Sequence, residues 1–408
     1  MPQIVHRTLA CGLDLLVEPM PGAASAALTW KFPAGAAGDP ESRQGESAVL
    51  NEFTARGAGG LTSREHSDAL DRVGVERSSS VGVHHLTISA TMLGSNVPAA
   101  LPLFAAVARD PLLPAEALEP VQSLCVQAIE GIKDDPQHEA MIRLRERHVP
   151  APFNRHGYGE IDAINAMTID DVRRAWKTRC VPRGTIVALA GAVDVDQAAA
   201  ILDASLTGWR GACGEPVETA PAQGGIHHVE QPSAQVHIGI ACDAPREADE
   251  GAMLERLAVA VLSGGMSGRL FTEVREKRSL CYSVGASYGA ERERGVLTIY
   301  SGTTPERAQE TLDVCLAEMK RLEQGVTIEE FRRAVVGLKS RLVMQGESTS
   351  ARAGAIARDF HRLGRARTLD EIARAVDELT LDGLNAYLAR RNFGPFTVVS
   401  VGPTALRV

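Results

Sequence analysis

Polar and apolar residues alternate through His85-Leu-Thr-Ile-Ser-Ala-Thr-Met92, and that period of two predicts a strand with one buried face. Short apolar runs at 13–18 and 26–32 predict two earlier strands. A loop rich in Gly, Asp, Pro and Ser follows at 35–45, then helical spacing near 46–55 and 64–73. Longer helices are predicted at 97–109, 114–132 and 136–147. The half closes on a helix opening at Thr168, a strand over 185–190 and Gly191.

The second half repeats this order. Residues 230–240 read as a loop and then a strand, 250–262 as a helix, and 283–288 with 295–301 as paired strands. Thr304-Pro305 combines a capping hydroxyl with proline in the first helical position, and Thr327-Ile-Glu-Glu330 has the form of a capping box. The endings match: Thr168-Ile-Asp-Asp … Thr185-Ile-Val-Ala-Leu-Ala-Gly191 parallels Thr380-Leu-Asp-Gly … Phe396-Thr-Val-Val-Ser-Val-Gly402, with one residue of slippage. Both the start and the end of the unit recur, so the chain reads as one unit written twice. A stretch rich in Gly, Pro, Ala and Thr from Trp209 to Gly225 contains the join. The expected domains are 1–212 and 226–408, with 213–225 as linker. Strands and helices without strict βαβ alternation predict an α+β class, each domain a mainly antiparallel sheet with helices packed on one face.

With 408 residues, 44% hydrophobic and 23% charged, the chain has ordinary globular composition and room for two cores. Its net charge of −8, with both signs mixed along the length, argues against a nucleic-acid partner. No apolar run approaches the length of a membrane span. The first sixteen residues lack the basic start, apolar stretch and cleavage site of a leader. Seven scattered cysteines, never spaced C-x-x-C, read as structural thiols. Cytoplasm is the expected compartment, with periplasm the alternative for a form whose leader has been trimmed.

The most informative segment is Ser263-Gly-Gly-Met-Ser-Gly-Arg-Leu-Phe-Thr-Glu-Val-Arg-Glu-Lys-Arg-Ser-Leu-Cys-Tyr-Ser-Val284. Its glycines do not make a phosphate loop, because Arg269-Leu270 follows Gly268 where Lys-Ser/Thr is required. The segment instead resembles the second-half signature of the pitrilysin/insulinase metallopeptidases, whose relatives include mitochondrial processing peptidases and bc1 core proteins. Glycines, S-R-L-F, an R-e-k triplet and L-x-Y-s recur in order, and the duplicated α+β unit agrees. The resemblance implies a clam-like half-chamber. It also implies that Arg275 and Tyr282 hold the substrate backbone and polarise the scissile carbonyl, since a fixed cation and a phenol stabilise the negative charge that develops on the oxygen. Taken singly, Arg275 reads as a surface helix charge and Tyr282 as a strand core residue.

Active members of that family carry H-x-x-E-H on a helix, two histidines on one face binding zinc and a glutamate activating water. The matching stretch here is Gly45-Glu-Ser-Ala48-Val-Leu-Asn51-Glu52. Ala48 stands at the first histidine, Asn51 at the catalytic glutamate and Glu52 at the second histidine. The distal glutamate, counted back from Pro136, falls on Ala128 with Gln127 beside it. No zinc site is therefore expected. Thr62-Ser-Arg-Glu65-His66 lacks the first histidine, and adjacent His84-His85 and His227-His228 are expected to point to opposite faces of a strand. No nucleophile motif is present.

The resemblance implies a non-zinc subunit that supplies Arg275 and Tyr282 in trans to an H-x-x-E-H partner, with zinc in that partner and no cofactor in this chain. Peptides are the expected substrate, held as an added strand. Two readings from other classes stay open: an inert assembly subunit like the bc1 core proteins, and a peptide-binding homodimer.

Overall fold

The structure is a computed structural model and describes residues 3–407. The first half of the chain supplies strands β1 (Val5–Thr8), β2 (Asp14–Pro19), β3 (Ser25–Phe32), β4 (Gly57–Ala58), β5 (Leu61–Thr62), β6 (Glu76–Val81), β7 (Leu86–Leu93) and β8 (Ile186–Gly191). Its helices are α1 (Glu46–Phe53), α2 (Ser63–Arg72), α3 (Val97–Arg109), α4 (Leu118–Ile132), α5 (Pro136–His148), α6 (Ile161–Ala166), α7 (Ile169–Arg179) and α8 (Val195–Ser205). The second half supplies β9 (Ile226–Glu230), β10 (Val236–Ala244), β11 (Cys281–Ala290), β12 (Gly295–Thr303) and β13 (Thr397–Gly402). It also supplies α9 (Ala252–Ser263), α10 (Ala308–Arg321), α11 (Ile328–Gly346), α12 (Thr349–Leu363), α13 (Leu369–Asp377) and α14 (Leu381–Leu388).

Local chemistry sets many of these boundaries. The Thr168 hydroxyl accepts from the Asp171 amide while Asp171 accepts from the Thr168 amide, a complete capping box on α7. Thr380 caps α14 through the Gly383 amide, and glycine there leaves the box half made. Thr327 and Glu330 exchange the same two bonds at the start of α11, as their spacing predicts.

The chain forms two compact units, each drawn from three stretches. The first comprises residues up to Gly131, Ala151–Ala220 and Gln345–Thr368. Its sheet has the order β1-β2-β8-β3-β7-β6, with β2 and β8 parallel and every other neighbour antiparallel. Leu15, Val17, Leu28, Trp30, Val187 and Leu189 point into a core shared with α1, α3, α7 and α8. The alternate residues Leu16, Ala27, Ile186, Ala188 and Ala190 face α12, through Ala353, Ile356 and Ala357. Thus the helical layer lies on one face, as expected, and one further helix covers the other.

The second unit comprises Ile132–Pro150, Pro221–Met344 and residues from Leu369 onward. Its sheet has the order β11-β12-β10-β13-β9, again with one parallel pair, β13 and β9. Ile238, Ile240, Cys242, Leu297, Ile299 and Val398 pack on α9, α10 and α14. Ala241, Val399 and Val401 meet Ala140 and Leu144 of α5 on the opposite face.

The two sheets are the same design, parallel pair included. Gly191 and Gly402 end the equivalent strands with φ of 117° and 148°. A Cβ at Gly191 would lie 2.3 Å from the Ser25 carbonyl oxygen, and one at Gly402 would lie 2.7 Å from that of Gln235. Each glycine lets the last strand of its unit cross the entry to the central strand, which is why the sequence repeats it.

Candidate functional site

Helix α1 carries the five-residue frame, 48–52, in which a zinc motif would stand. Gly45 adopts a left-handed conformation at its N-cap and offers no side chain, so the cap comes from elsewhere. The Asp39 carboxylate accepts from the amides of Gly45 (2.9 Å) and Ser47 (3.1 Å) and from the Ser47 hydroxyl (3.0 Å). Arg179 of α7 donates to Asp39 (2.7 Å), Glu46 (2.9 Å) and the Gly35 carbonyl (2.6 Å), with all three charged side chains buried. Burial pushes the Asp39 carboxyl up, and the Arg179 guanidinium opposes the rise. Sequence reasoning missed this triad; the Asp39-Pro40 step inside the glycine-rich loop was its only local sign.

The residues this anchor presents are not metal ligands. Ala48 packs partly buried against the core. The Asn51 Oδ1 is buried without a hydrogen-bond partner among the described residues. Glu52 lies 3.9 Å from Arg56 in a helical pair. Burial, and to a lesser extent the Glu52 carboxylate of α1, push the Cys125 thiol of α4 up to about 12. Ala128 lies three residues further along α4, exposed, as is Gln127. Among the described residues no group of three or more His, Cys, Asp or Glu side chains could hold a metal ion.

In the second unit, Arg275 lies in a π-helical turn, Phe271–Glu276, that leads into β11. Its guanidinium stands 4.9 Å from the centre of the Phe271 ring and 5.0 Å from that of Tyr282. Tyr282 sits at a bulge between Cys281 and Ser283 and is 81% exposed, so it is no core residue. The neighbouring carboxylate, Glu273, is engaged by Lys277 (2.8 Å), Arg278 (2.8 Å) and more distantly Arg321 (3.7 Å). Hydrogen bonds from Lys277 and Arg278 hold Glu273 down to about 2. Arg275 therefore has no carboxylate partner among the described residues, and two aromatic rings orient it. The turn is fixed from behind: Arg269, 7% exposed, makes a fork to Glu330 (2.7 and 2.9 Å) and donates to the Gly325 carbonyl (3.0 Å). Phe271 was missed in the sequence; its i, i+4 spacing from Arg275 was the available signal.

Strand β11 is an edge of its sheet. Its sequence, Cys-Tyr-Ser-Val-Gly-Ala-Ser-Tyr-Gly-Ala, has none of the lysine or proline that commonly guards an exposed edge.

The other histidine candidates resolve in different ways. Glu65 completes the α2 capping box with Thr62, and His66 bonds the Leu103 carbonyl at 3.2 Å. His227 and His228 lie in β9 and meet Arg147 and Ser400 respectively. The expectation for His84-His85 is corrected. They precede β7 in a turn, and both rings pack on His361, with centroids 4.8 and 4.4 Å away.

Residues 166–338 match the family described as Peptidase M16 inactive domain, a span that contains Arg275 and Tyr282 but not α1 or α4. An uncharacterized zinc protease of Streptomyces coelicolor is 27% identical, over 97% of this chain and 89% of that protein. The crystal structure of a peptidase M16 inactive domain from Pseudomonas fluorescens superposes with a TM-score of 0.87 at 23% identity, covering 100% of both chains. A chain of Complex III2 from Candida albicans superposes with a TM-score of 0.83 at 17% identity, covering 98% of this chain and 96% of that one. These two structures share its fold.

Proposed function

We propose that this chain, which belongs to the peptidase M16 inactive-domain family, is the non-zinc subunit of a two-chain zinc endopeptidase. It supplies Arg275 and Tyr282 in trans to a homologous partner that carries H-x-x-E-H and the zinc. The observation that carries this reading is the Arg275 guanidinium, which lies over the rings of Phe271 and the exposed Tyr282 and has no carboxylate partner among the described residues. A cation held in place before substrate arrives stabilises a developing oxyanion without reorganisation. The substrate is a peptide, and the unguarded edge of β11 beside Tyr282 supports main-chain pairing as its mode of binding. Seven free cysteines, five of them buried, fit a reducing compartment such as the cytoplasm.

An assembly role is the second reading, favoured by the likeness to a chain of Complex III2. It gives no account of an exposed tyrosine beside an arginine that has no carboxylate partner among the described residues. Cleavage of a quenched fluorescent peptide separates the two. Activity confined to a mixture with the zinc-motif partner, and abolished by chelation and by Arg275→Ala, is expected. A mixture no better than the partner alone would favour the assembly role.

A further inference from the structure

A cavity of about 600 Å³ lies in the first unit, between the β1–β2 turn, the approach to β8 and the segment that follows α8. That volume falls within the usual range for small-molecule sites. The buried Leu206 and Trp209 back it, and the Trp209 indole is fixed by its bond to the Cys180 carbonyl at 3.2 Å. Three charged side chains line it: Arg183, Arg210 and Asp203. Burial raises the Cys11 thiol, so that neighbour adds no charge at neutral pH. The carbonyls at the end of α8 are already engaged, that of Asp203 by the Thr207 hydroxyl (3.1 Å) and that of Ser205 by Arg109 (2.7 Å).

The three charged groups do not neutralise one another. Neither guanidinium has a hydrogen bond or an ion pair with any described residue, and Asp203 has no ion pair among them. One oxygen of Asp203 accepts from the Ala10 amide at 2.9 Å, which pins the carboxylate to the β1–β2 turn and leaves its second oxygen for a ligand. Arg183 is placed too. Its backbone pairs with Ala212, and its stem runs so close to Gly12 that a Cβ there would lie 3.0 Å from its Cγ.

We infer that this cavity binds a zwitterion, a short peptide or amino acid with both termini free, whose carboxylate meets Arg183 and Arg210 and whose ammonium meets Asp203. A simple anion is repelled by Asp203 and a simple cation by the two arginines, whereas a zwitterion satisfies all three. A guanidinium suits the carboxylate end because its donors form a planar fork. Every lining residue belongs to the first unit, whereas Arg275 and Tyr282 belong to the second. The inference therefore does not rest on the peptidase reading.

Isothermal titration calorimetry of the full chain tests this with leucine, the dipeptide Ala-Leu and the tripeptide Ala-Ala-Leu. Each is also made N-acetylated and C-amidated. We expect saturable binding of at least one free form, weakened roughly tenfold or more by either cap, as the loss of a hydrogen bond between charged groups implies. Asp203→Asn, which keeps an acceptor for the Ala10 amide, should weaken the free ligand to the level of its acetylated form and leave the acetylated form unaffected. Arg183→Gln and Arg210→Gln should each do the same with respect to the amide. Misfolding would instead weaken free and capped ligands alike, and the two arginine variants alter exposed side chains. Sensitivity to one cap only would mean a plain anion or cation site and overturn the zwitterion. No saturable binding by any free form, or affinity indifferent to both caps, would overturn the site itself.

Discussion

Arg352 donates two hydrogen bonds to Glu18, at 2.8 and 3.1 Å, across a sequence separation of 334 residues, with both side chains buried. The pair fastens α12 to β2 within the first unit. Removing one member strands the other charge in an apolar layer, which typically costs about 3–5 kcal/mol. Glu18→Ala or Arg352→Ala should therefore lower the urea midpoint sharply, whereas joint replacement by Leu and Met should restore most of it. Equal losses in the single and double variants would show that the pair is not what holds the helix.

The stacking of Tyr282 on Arg275 separates the roles of ring and hydroxyl. Tyr282→Phe keeps the ring and loses one donor to a developing charge, worth about 1.5–3 kcal/mol, or roughly 10–100-fold in kcat. Arg275→Ala should cost about 2.7–4 kcal/mol, or roughly 10²–10³-fold. Tyr282→Ala should approach the arginine variant, because the guanidinium then loses one of its two aromatic supports. Single-turnover cleavage by the assembled pair measures all three. An unimpaired Tyr282→Ala would remove the tyrosine from the mechanism.

Donor chemistry on α1 and α4 makes the chain's stability independent of chelators. Ala48 and Ala128 have no ligand atom, and Glu52 alone does not hold zinc. The Tm of the isolated chain should stay the same with or without EDTA, and elemental analysis should find no stoichiometric zinc. A Tm that falls on chelation would reveal a metal site elsewhere in the chain.

Acid stability should report on Glu273. Its folded carboxyl is held at about 2 against an ordinary 4.5, by hydrogen bonds from Lys277 and Arg278. A depressed carboxyl adds stability that is present above pH 4.5 and is lost as pH falls toward 2. Glu273→Gln should flatten this part of the denaturation profile, and an unchanged profile would mean the ion pairs contribute nothing.

What the sequence reveals is what is decided locally. Helix starts at Thr168, Thr327 and Thr380 are legible because a cap and its partner amide lie three residues apart. Strand β6 is not, since Glu-Arg-Ser-Ser-Ser-Val has no apolar face to alternate, and β9 hides beside the linker. Amphipathic α5 and α12 each advertise a buried face but not which sheet receives it. The His84-His85 expectation fails because β7 begins at Leu86, and a turn does not send successive side chains to opposite sides. At the site, Arg275 and Tyr282 are legible as a motif and Phe271 stands at i, i+4 from Arg275, whereas Asp39 and Arg179 act through contacts that no spacing announces.

Chain order has a consequence during synthesis. Strand β8 completes the first sheet at Gly191, but the helix that covers Leu16, Ala27, Ile186 and Ala188 begins at Thr349, roughly 160 residues later. At about 5–20 residues per second a ribosome needs roughly 8–30 s to reach it. Through that interval the nascent first unit presents a bare apolar sheet face, the kind of surface chaperones hold, and it can be finished only once α12 has been made.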